Sequence, residues 1–276
     1  MKIEIFSEQI FFTTIRISSI FPLGPTSATG CFYQFEHEGM TKLFLVTNKH
    51  VFEDENMGGS AKEIILHFIR SDGTGEPELG APISIQIDIP WHCHPDPNVD
   101  LAIVPLGELI SNLSIEGNPV FYKSIPKDIV YEVGNTSELQ GFEEVVFVGY
   151  PLGLIDSVNH LPVVRRGITA SLTNVDFNGL PQFLIDAGVY QGSSGSPVFI
   201  SNQGFIPDRA GNVTLGSRLL FMGIVSKTYE RNNKATRQNG ESAEELFVKE
   251  VIGLGIVVKA RCMVEAIEDF ISKHQE

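Results

Sequence analysis

The chain has 276 residues, of which 42% are hydrophobic and 20% are charged, and its formal net charge is −14 at pH 7. This is the composition of an ordinary soluble globular protein with a sizeable core, large enough for one large all-β domain or two modest ones. The negative charge opposes binding to nucleic acid or to anionic membranes, and no stretch approaches the ~20 consecutive apolar residues of a membrane helix. We therefore expect neither a nucleic-acid nor a membrane partner.

Short strands are the main elements predicted along the chain, and Gly, Pro, Asn and Asp separate them. In chain order the first group is FFTTIRIS, GCFYQF, KLFLVT, EIILHFI, ISIQIDI and LAIVPL. The second group is EEVVFVGY, FLIDA, SPVFI, RLLFMGIVS and GIVVKA. Between the groups, residues 111–140 have fewer apolar runs. Many strands at this spacing are typical of a sandwich or barrel rather than of βαβ units.

Helical periodicity is clear only at the end of the chain, over Ala260–Lys273. The apolar residues that share one face there are Val264, Ile267, Phe270 and Ile271. A shorter helix is expected over Ser242–Lys249, inside the polar insertion Arg231–Glu250. We predict an all-β fold class with two β-barrels and a C-terminal α-helix in a single domain. The expected bounds are 1–115 for the first barrel, 116–140 for the linker, 141–259 for the second barrel and 260–274 for the helix.

Cysteine usage and the N-terminal segment bear on the compartment. The three cysteines, Cys31, Cys93 and Cys262, are few, far apart and odd in number, so they suggest neither a disulfide framework nor a CxxC metal site. The N-terminal segment carries Glu4 and Glu8 and has no small-residue cleavage site after an apolar core, which makes it a poor signal peptide. We expect a cytoplasmic protein.

A small, hydroxyl-rich turn, YQGSSGSPVF at residues 190–199, precedes an apolar strand. Gly and Ser form turns, so this segment can be a simple loop. A serine on a tight Gly-rich turn can also be a nucleophile, with backbone N–H groups that converge on one point. The second interpretation requires a base and an orienting acid from elsewhere in the chain.

Two residues can supply that base and acid. His50 follows the apolar run in FLVTNKHVF, where a strand gives way to a turn, and Asp100 directly precedes the apolar strand in NVDLAIVPL. A partly buried carboxylate can hold an imidazole by its second nitrogen and stabilise the imidazolium. Each residue alone is more often an edge histidine or a strand-start aspartate. With Ser194 they give the order His, Asp, Ser.

The chain resembles the trypsin-like serine peptidases, which have the chymotrypsin fold, in five ordered motifs. LVTNKHVF, HPDPNVDLAIVPL and GSSGSPV are similar to the segments that carry the family's histidine, aspartate and serine. MGIVS is similar to the strand that lines the substrate cleft, and GYPLGL, DAGVYQGSSGSPVF and GLGIVV look like the HtrA-like branch. The resemblance implies two chymotrypsin-like barrels and a serine endopeptidase without a cofactor, acting on a protein or peptide. A regulatory protein partner is compatible with it.

The resemblance also implies the roles of individual residues. His50 is the general base, Asp100 the orienting acid and Ser194 the nucleophile, and backbone N–H groups of the turn form the oxyanion hole. The residues of that turn are Gly192, Ser193 and Ser194. The substrate-binding residues are Gly188, Val189, Tyr190, Gln191, Ser226, Lys227 and Thr228. Since Gly188 falls near the pocket base and carries no carboxylate, we expect a small or medium apolar residue before the scissile bond.

Two departures from the family pattern lie in the nucleophile turn. Ser193 replaces the common aspartate before the nucleophile, and Ser196 replaces the second glycine. An inactive relative that binds peptides or scaffolds a complex is the alternative function. An α/β-hydrolase is excluded because its triad runs Ser, Asp, His and its motif needs glycine at position 196.

Two further groups of residues have a functional and a plainer interpretation. The segment WHCHPDP offers His92, Cys93, His94 and Asp96 as zinc ligands, but no second ligand cluster accompanies it, and the resemblance explains the His-Pro loop. We therefore expect no metal. Arg165 and Arg166 are expected to lie on exposed polar surface at the start of a strand.

Overall fold

Two β-rich units and a C-terminal helix make up the computed structural model, which describes residues 3–131, 139–207, 211–239 and 242–274. The predicted fold class is therefore confirmed. No helix in these ranges is both long and apolar enough to cross a membrane.

The first unit is an antiparallel eight-stranded sheet with a separate two-stranded hairpin. Its strands follow the order β10-β6-β1-β2-β3-β9-β8, with β7 paired to β6, and β4 pairs with β5. The strands are β1 Thr14–Phe21, β2 Gly24–His37, β3 Met40–Thr47, β4 Glu53–Asp54, β5 Gly59–Ser60, β6 Glu63–Ser71, β7 Pro77–Ile87, β8 His92–Cys93, β9 Ala102–Pro105 and β10 Val120–Phe121. The unit also contains the helices α1 Phe6–Gln9 and α2 Gly107–Ile115.

The β2–β3 hairpin has a turn whose residues match its geometry. Glu38 and Gly39 both have positive φ, 50° and 76°, as a two-residue type I′ turn requires. The turn pairs His37 with Met40. In the register that follows, Cys31 pairs with Val46, and β3 ends one residue later, at Thr47. The first site residues follow directly after this strand.

The second unit is a closed six-stranded barrel in the order β11-β12-β13-β16-β15-β14. Its strands are β11 Glu144–Gly149, β12 Val163–Thr169, β13 Gln182–Asp186, β14 Pro197–Pro207, β15 Val213–Asn239 and β16 Ser242–Lys259. The prediction of a helix over Ser242–Lys249 is wrong. These residues belong to β16 and pair with β15, from Lys249 opposite Asn232 to Ser242 opposite Asn239. Cross-strand pairing here outweighs the local helix propensity.

Residues 111–140 contain regular structure that the sequence did not predict. The helix α2 ends at Ile115, and β10 adds a strand to β6 of the first sheet. An isolated bridge from Ile125 to Tyr33 then connects the segment to the first unit. A second bridge, from Val130 to Phe221, connects it to the second unit. The described part of this segment is therefore packed against both units.

One apolar cluster joins both units to the helix α3 Ala260–Lys273. It contains, among others, Phe44 of β3, Phe199 of β14 and Ile267 of α3. The buried residues of α3 are Ala260, Cys262, Met263, Ala266, Ile267 and Ile271, whereas Val264 and Phe270 are half-buried. The apolar face of α3 is therefore turned slightly from the predicted one.

Candidate active site

His50 and Asp100 come together where strand ends of the first sheet meet. His50 lies in the single helical turn Lys49–Val51 that follows β3, and Asp100 lies just before β9, the neighbour of β3. His50 Nδ1 is 2.8 Å from Asp100 Oδ2, and the His50 backbone N–H donates to Asp100 Oδ1 at 3.1 Å. Since a carboxylate only accepts, Nδ1 carries the proton and Nε2 is free to accept one.

Ser194 lies in the turn between β13 and β14 of the barrel, and its Oγ is 2.9 Å from His50 Nε2. The same Oγ is 3.0 Å from the backbone oxygen of Ser226. A hydroxyl has one proton, so Ser194 donates to one of these two acceptors at a time. The structure thus brings the three residues predicted from sequence into one hydrogen-bonded line.

Two side chains around Asp100 hold it in place. Ser226 Oγ donates to Asp100 Oδ2 at 2.6 Å, and Asn48 Nδ2 donates to the backbone oxygen of Asp100 at 2.7 Å. Ser226 was predicted from the cleft-lining motif. Asn48 was not, although it stands two residues before His50 and is fully buried. Both bonds fix the carboxylate relative to the imidazole.

The ionisation of His50 and Asp100 follows from their contact. Burial lowers the pKa of His50, but the hydrogen bond and negative charge of Asp100 outweigh it, so the pKa is raised above the ordinary value. Burial raises the pKa of Asp100, but the hydrogen bonds from His50 and Ser226 outweigh it, so this pKa is lowered. Asp100 is therefore an anion at neutral pH, and it favours the imidazolium form of His50.

The turn around Ser194 points two backbone N–H groups away from the protein's own acceptors. Within the described ranges, no protein acceptor takes a bond from the N–H of Gly192 or of Ser194, whereas the N–H of Ser193 donates to Tyr190 and that of Gly195 to Val225. Two free donors on one tight turn form a site for a negatively charged oxygen.

Both glycines of the turn are required by its shape. Gly192 has φ +89° and Gly195 has φ +83°, a region that side chains disfavour. A Cβ at Gly192 would lie 2.5 Å from the backbone oxygen of Tyr150, and one at Gly195 would overlap the backbone oxygen of Thr29. Any other residue at these positions would displace the turn.

Thr29 of β2 fastens the nucleophile turn to the first unit, a role that the sequence did not indicate. Its N–H donates to the oxygen of Ser194 at 2.8 Å, and its Oγ1 donates to the oxygen of Gly192 at 3.0 Å. Oγ1 also accepts the N–H of Tyr150 at 3.1 Å, and Thr47 Oγ1 donates to the oxygen of Thr29 at 2.7 Å. The turn is thus held from both units.

A cleft of about 810 Å³ opens beside His50 and Asp100. Three predicted substrate-binding residues line it, namely Ser226, Lys227 and Thr228. Lys227 is exposed, and its positive charge lowers the pKa of His50. This effect is smaller than that of burial and smaller than that of Asp100. The other walls come from the segments 178–182 and 54–56 and from β16.

The remaining predicted substrate-binding residues, Gly188–Gln191, do not line this cleft. Val189 is buried against Gly255 of β16, and the backbone oxygen of Gln191 accepts the N–H of Leu152. Tyr190 is 45% exposed and, together with Arg165, lines a second cavity of about 550 Å³. The expectation that Arg165 is an exposed surface residue is wrong, because it is half-buried and its Nη1 atom is fully buried.

The histidines of WHCHPDP bind to the C-terminal helix. His92 Nε2 is 2.6 Å from Asp269 Oδ2, and His94 Nε2 is 3.0 Å from Glu265 Oε2. The N–H of Asp96 donates to His94 Nδ1, so the proton of His94 is on Nε2 and is shared with Glu265. These bonds anchor α3 to the first unit.

His94, Glu265 and Cys262 bring one potential metal-ligand atom each within 4.8 Å of one another. A metal ion that bound here would displace the ring proton of His94 Nε2 and the thiol proton of Cys262. Nε2 of His94 is protonated here, and burial raises the pKa of the Cys262 thiol to about 12. In the structure His94 bonds to Glu265, and Cys262 Sγ donates to the backbone oxygen of Pro181 at 3.9 Å.

A family model described as the trypsin-like peptidase domain matches residues 28–206, which is more than half of the chain. The chain belongs to the trypsin-like peptidase family. The match contains His50, Asp100 and Ser194 in order, together with Thr29 and the whole nucleophile turn. The strand β15, which carries Ser226, lies beyond the matched range.

Solved structures similar to this chain share little sequence with it. The serine endoprotease from Yersinia pestis is 16% identical, with 98% of this chain and 68% of that chain covered and a TM-score of 0.49. Protease Anisep from Arthrobacter nicotinovorans is 12% identical, with 90% of each chain covered and a TM-score of 0.45. The scabies mite inactivated protease paralogue S-I1 is 14% identical, with 96% and 98% covered and a TM-score of 0.48. Among curated proteins, none matches the chain in sequence.

Proposed function

We propose that the chain is a serine endopeptidase that hydrolyses peptide bonds through an acyl-enzyme intermediate. The observation that carries this proposal is the line of hydrogen bonds from Asp100 through His50 to Ser194, which ends beside two free backbone N–H groups. A nucleophile, a base, an orienting acid and an oxyanion site at one point are the parts that acyl transfer requires.

In the first step Ser194 Oγ attacks the carbonyl carbon of the scissile bond. His50 Nε2 takes the hydroxyl proton as the new C–O bond forms. The resulting imidazolium is stabilised by the negative charge of Asp100, whose Oδ2 accepts the hydrogen bond from His50 Nδ1–H. His50 then gives the proton to the leaving amine, the C–N bond breaks, and the acyl group stays on Ser194.

The negative charge of the tetrahedral intermediate falls on the former carbonyl oxygen. The N–H groups of Gly192 and Ser194 donate to this oxygen, and Ser193 between them holds the turn through the bond from its N–H to Tyr190. Removing one such donor from an oxyanion site costs about 10²- to 10³-fold in rate. The fixed conformation of the turn therefore contributes to catalysis directly.

In the second half of the reaction a water molecule replaces the amine. His50 takes a proton from the water, the oxygen attacks the acyl carbon, and the ester bond to Ser194 breaks as His50 returns the proton to Oγ. The substrate is a protein or peptide whose extended segment lies in the cleft along Ser226–Thr228.

An inactive peptide-binding module is the second candidate, and one contact favours it. Ser194 Oγ lies 3.0 Å from the oxygen of Ser226, almost as near as His50 Nε2 at 2.9 Å. If the Ser194 hydroxyl donates to the Ser226 oxygen and not to His50 Nε2, His50 cannot remove the proton. A peptide would then bind in the cleft without being cleaved.

Cleavage of an unfolded protein mixture separates the two candidates. The purified chain and its Ser194→Ala variant are incubated with the mixture, and new peptide termini are mapped by mass spectrometry. We expect new termini only with the wild-type chain, at internal bonds, with both proteins melting at similar temperatures. Equal sets of termini from the two proteins, or none from a folded wild type that binds peptides, would support the inactive module or another nucleophile.

A further inference from the structure

Asp54 stands in the small β4–β5 hairpin, at the edge of the cleft beside His50. The cleft of about 810 Å³ is lined by His50 and Asp100 and also by Asp54 and Asn56. Burial lowers the pKa of His50, whereas the negative charges of Asp100 and Asp54 raise it. His50 Nε2 lies 2.9 Å from Ser194 Oγ, so the charge of Asp54 acts in the same cleft as the groups of the proposed reaction.

Contacts within the hairpin fix the position of Asp54. Trp91 Nε1 donates to Glu53 Oε1 at 2.8 Å, and the Trp91 ring stacks on that of Phe52 with 5.1 Å between the ring centres. Asp54 Oδ1 accepts the backbone N–H of Asn56 at 2.9 Å and its Nδ2 at 3.1 Å. One carboxylate oxygen is therefore held in place before a substrate arrives.

The second carboxylate oxygen of Asp54 is available to a ligand. Within the described ranges Oδ2 accepts no hydrogen bond, and no cation forms an ion pair with this half-buried side chain. The carboxylates that line the cleft are those of Asp54, Asp100 and Glu230, and the ammonium that lines it is that of Lys227. When His50 is neutral, as a base must be, negative charge thus exceeds positive charge in the cleft. A cationic side chain complements this charge.

We propose that Asp54 binds a basic side chain, lysine or arginine, of the substrate in the cleft beside His50. This inference rests on the proposed peptidase function and names the substrate class of the same site. The apolar residue expected directly before the scissile bond was inferred from Gly188, which does not line this cleft. The basic residue therefore stands at another position, within a few residues of the cut.

The next residue in the chain provides a matched control. Glu55 is exposed and does not line the cleft. Asp54→Asn and Glu55→Gln each remove one negative charge, so both change the net charge of the protein equally. Asp54→Asn also keeps a side-chain oxygen that can accept the N–H of Asn56, so the turn after β4 is retained.

The test compares kcat/KM for an octapeptide series in which one position at a time, on either side of the scissile bond, carries Lys, Gln or Glu. At a position other than the one directly before the bond, we expect the wild type to prefer Lys over Gln by about 3- to 10-fold, and Gln over Glu. This range lies between an exposed ion pair and a buried hydrogen bond to a charged group, and the preference shrinks at high salt. In Asp54→Asn the Lys-to-Gln ratio falls to near one, in Asp54→Lys the Glu peptide becomes the best, and Glu55→Gln keeps the wild-type ratio.

Three outcomes would overturn the inference. A purely structural role of Asp54 would lower all rates together in Asp54→Asn and leave the Lys-to-Gln ratio unchanged. An effect of the overall charge would make Asp54→Asn and Glu55→Gln behave alike. A wild type without a preference for Lys at any scanned position would show that Asp54 does not contact the substrate.

A binding measurement separates this inference from the activity. The same Lys and Gln peptides are titrated by calorimetry into the Ser194→Ala protein and into Ser194→Ala/Asp54→Asn. We expect tighter binding of one Lys peptide by about 3- to 10-fold in the first protein and no difference in the second. If the folded wild type cleaves no peptide, the proposed function fails, while this binding difference still decides the role of Asp54. Equal binding of all Lys and Gln pairs to the first protein contradicts that role.

Discussion

The hydroxyl of Thr29 donates a 3.0 Å hydrogen bond to the backbone oxygen of Gly192, so a strand of the first sheet holds the proposed oxyanion turn of the barrel. The same threonine donates its N–H to the oxygen of Ser194 at 2.8 Å. These two bonds fix Gly192 and Ser194, whose own N–H groups donate to no protein acceptor within the described ranges. The contact between the two units thus sets the conformation of the turn.

Substitution of Thr29 tests this contact. Thr29→Val has a similar shape but leaves the oxygen of Gly192 and the N–H of Tyr150 without their partner, at a cost of about 1–3 kcal/mol for each buried group. We expect kcat to fall by about tenfold or more, since a shift of 1 Å in catalytic geometry costs about 100-fold. Thr29→Ser keeps the hydroxyl and should retain most of the activity. Equal kcat values for Thr29→Val and wild type would show that the turn is held by other contacts.

Loss of the nucleophile should remove activity and leave the fold intact. Ser194→Ala deletes one hydroxyl from a turn and no apolar group from the core. We expect kcat to fall on the order of 10⁶-fold, with the remaining rate due to binding and the oxyanion site. Steady-state kinetics and a thermal melt check both parts. Robust cleavage by a folded Ser194→Ala protein would exclude this nucleophile.

The pH profile of activity follows from the raised pKa of His50. His50 acts as a base only when Nε2 is unprotonated, so activity is lost as pH falls through this raised pKa. We expect kcat/KM to rise with a midpoint above the value of about 6.5 of a free histidine. Asp100→Asn removes the charge that raises the pKa, so the midpoint should move down while kcat drops on the order of 10⁴-fold. A midpoint that is the same in both proteins would contradict this assignment.

Ser193 bears on how the turn is ordered. Many secreted relatives order this turn through an ion pair between a newly cut N-terminus and an aspartate before the nucleophile. Ser193 is 1% exposed and uncharged, so an ammonium buried there would lack a counter-ion at a cost of several kcal/mol. We expect the same peptidase activity with and without an N-terminal extension. Activity that appears only after a clean N-terminal cut would refute this prediction.

A buried ion pair should dominate the stability of one end of the barrel. Glu143 and Arg218 lie 2.7 Å apart with side chains 4% and 8% exposed. Glu143→Ala removes the paired carboxylate and should lower the free energy of unfolding by about 3–5 kcal/mol. Glu144→Ala breaks the exposed pair with Arg166 and should change it by less than about 1 kcal/mol. Denaturant titration measures both variants, and equal effects would contradict the argument from burial.

The sequence predicted the strands and the three residues of the proposed triad because these carry local signals. Alternating runs such as ISIQIDI become strands like β7, in which the isoleucines face inward and the residues between them are exposed. His50, Asp100 and Ser194 stand in motifs that end or begin such strands. Local patterns of this kind need no knowledge of the tertiary fold.

Thr29, Asn48 and Arg165 could not be found in this way. Each contacts a residue far away in the chain: Thr29 contacts Gly192, Asn48 contacts Asp100, and Arg165 lies against Gly188. A threonine within a strand or an arginine at a strand start has no local feature that reveals such a partner. The helix expected over 242–249 failed for the same reason, since its pairing with β15 is a tertiary contact.

The central claim is that Ser194 is an activated nucleophile, and labelling with a fluorophosphonate probe tests it most directly. The probe reacts with a serine only when a base removes its proton and an oxyanion site stabilises the product. At a pH above the midpoint for His50, we expect stoichiometric labelling mapped to Ser194 in the folded wild type and none in His50→Ala or in the unfolded chain. Folded wild-type protein that stays unlabelled, or that is labelled at another serine, would contradict the account.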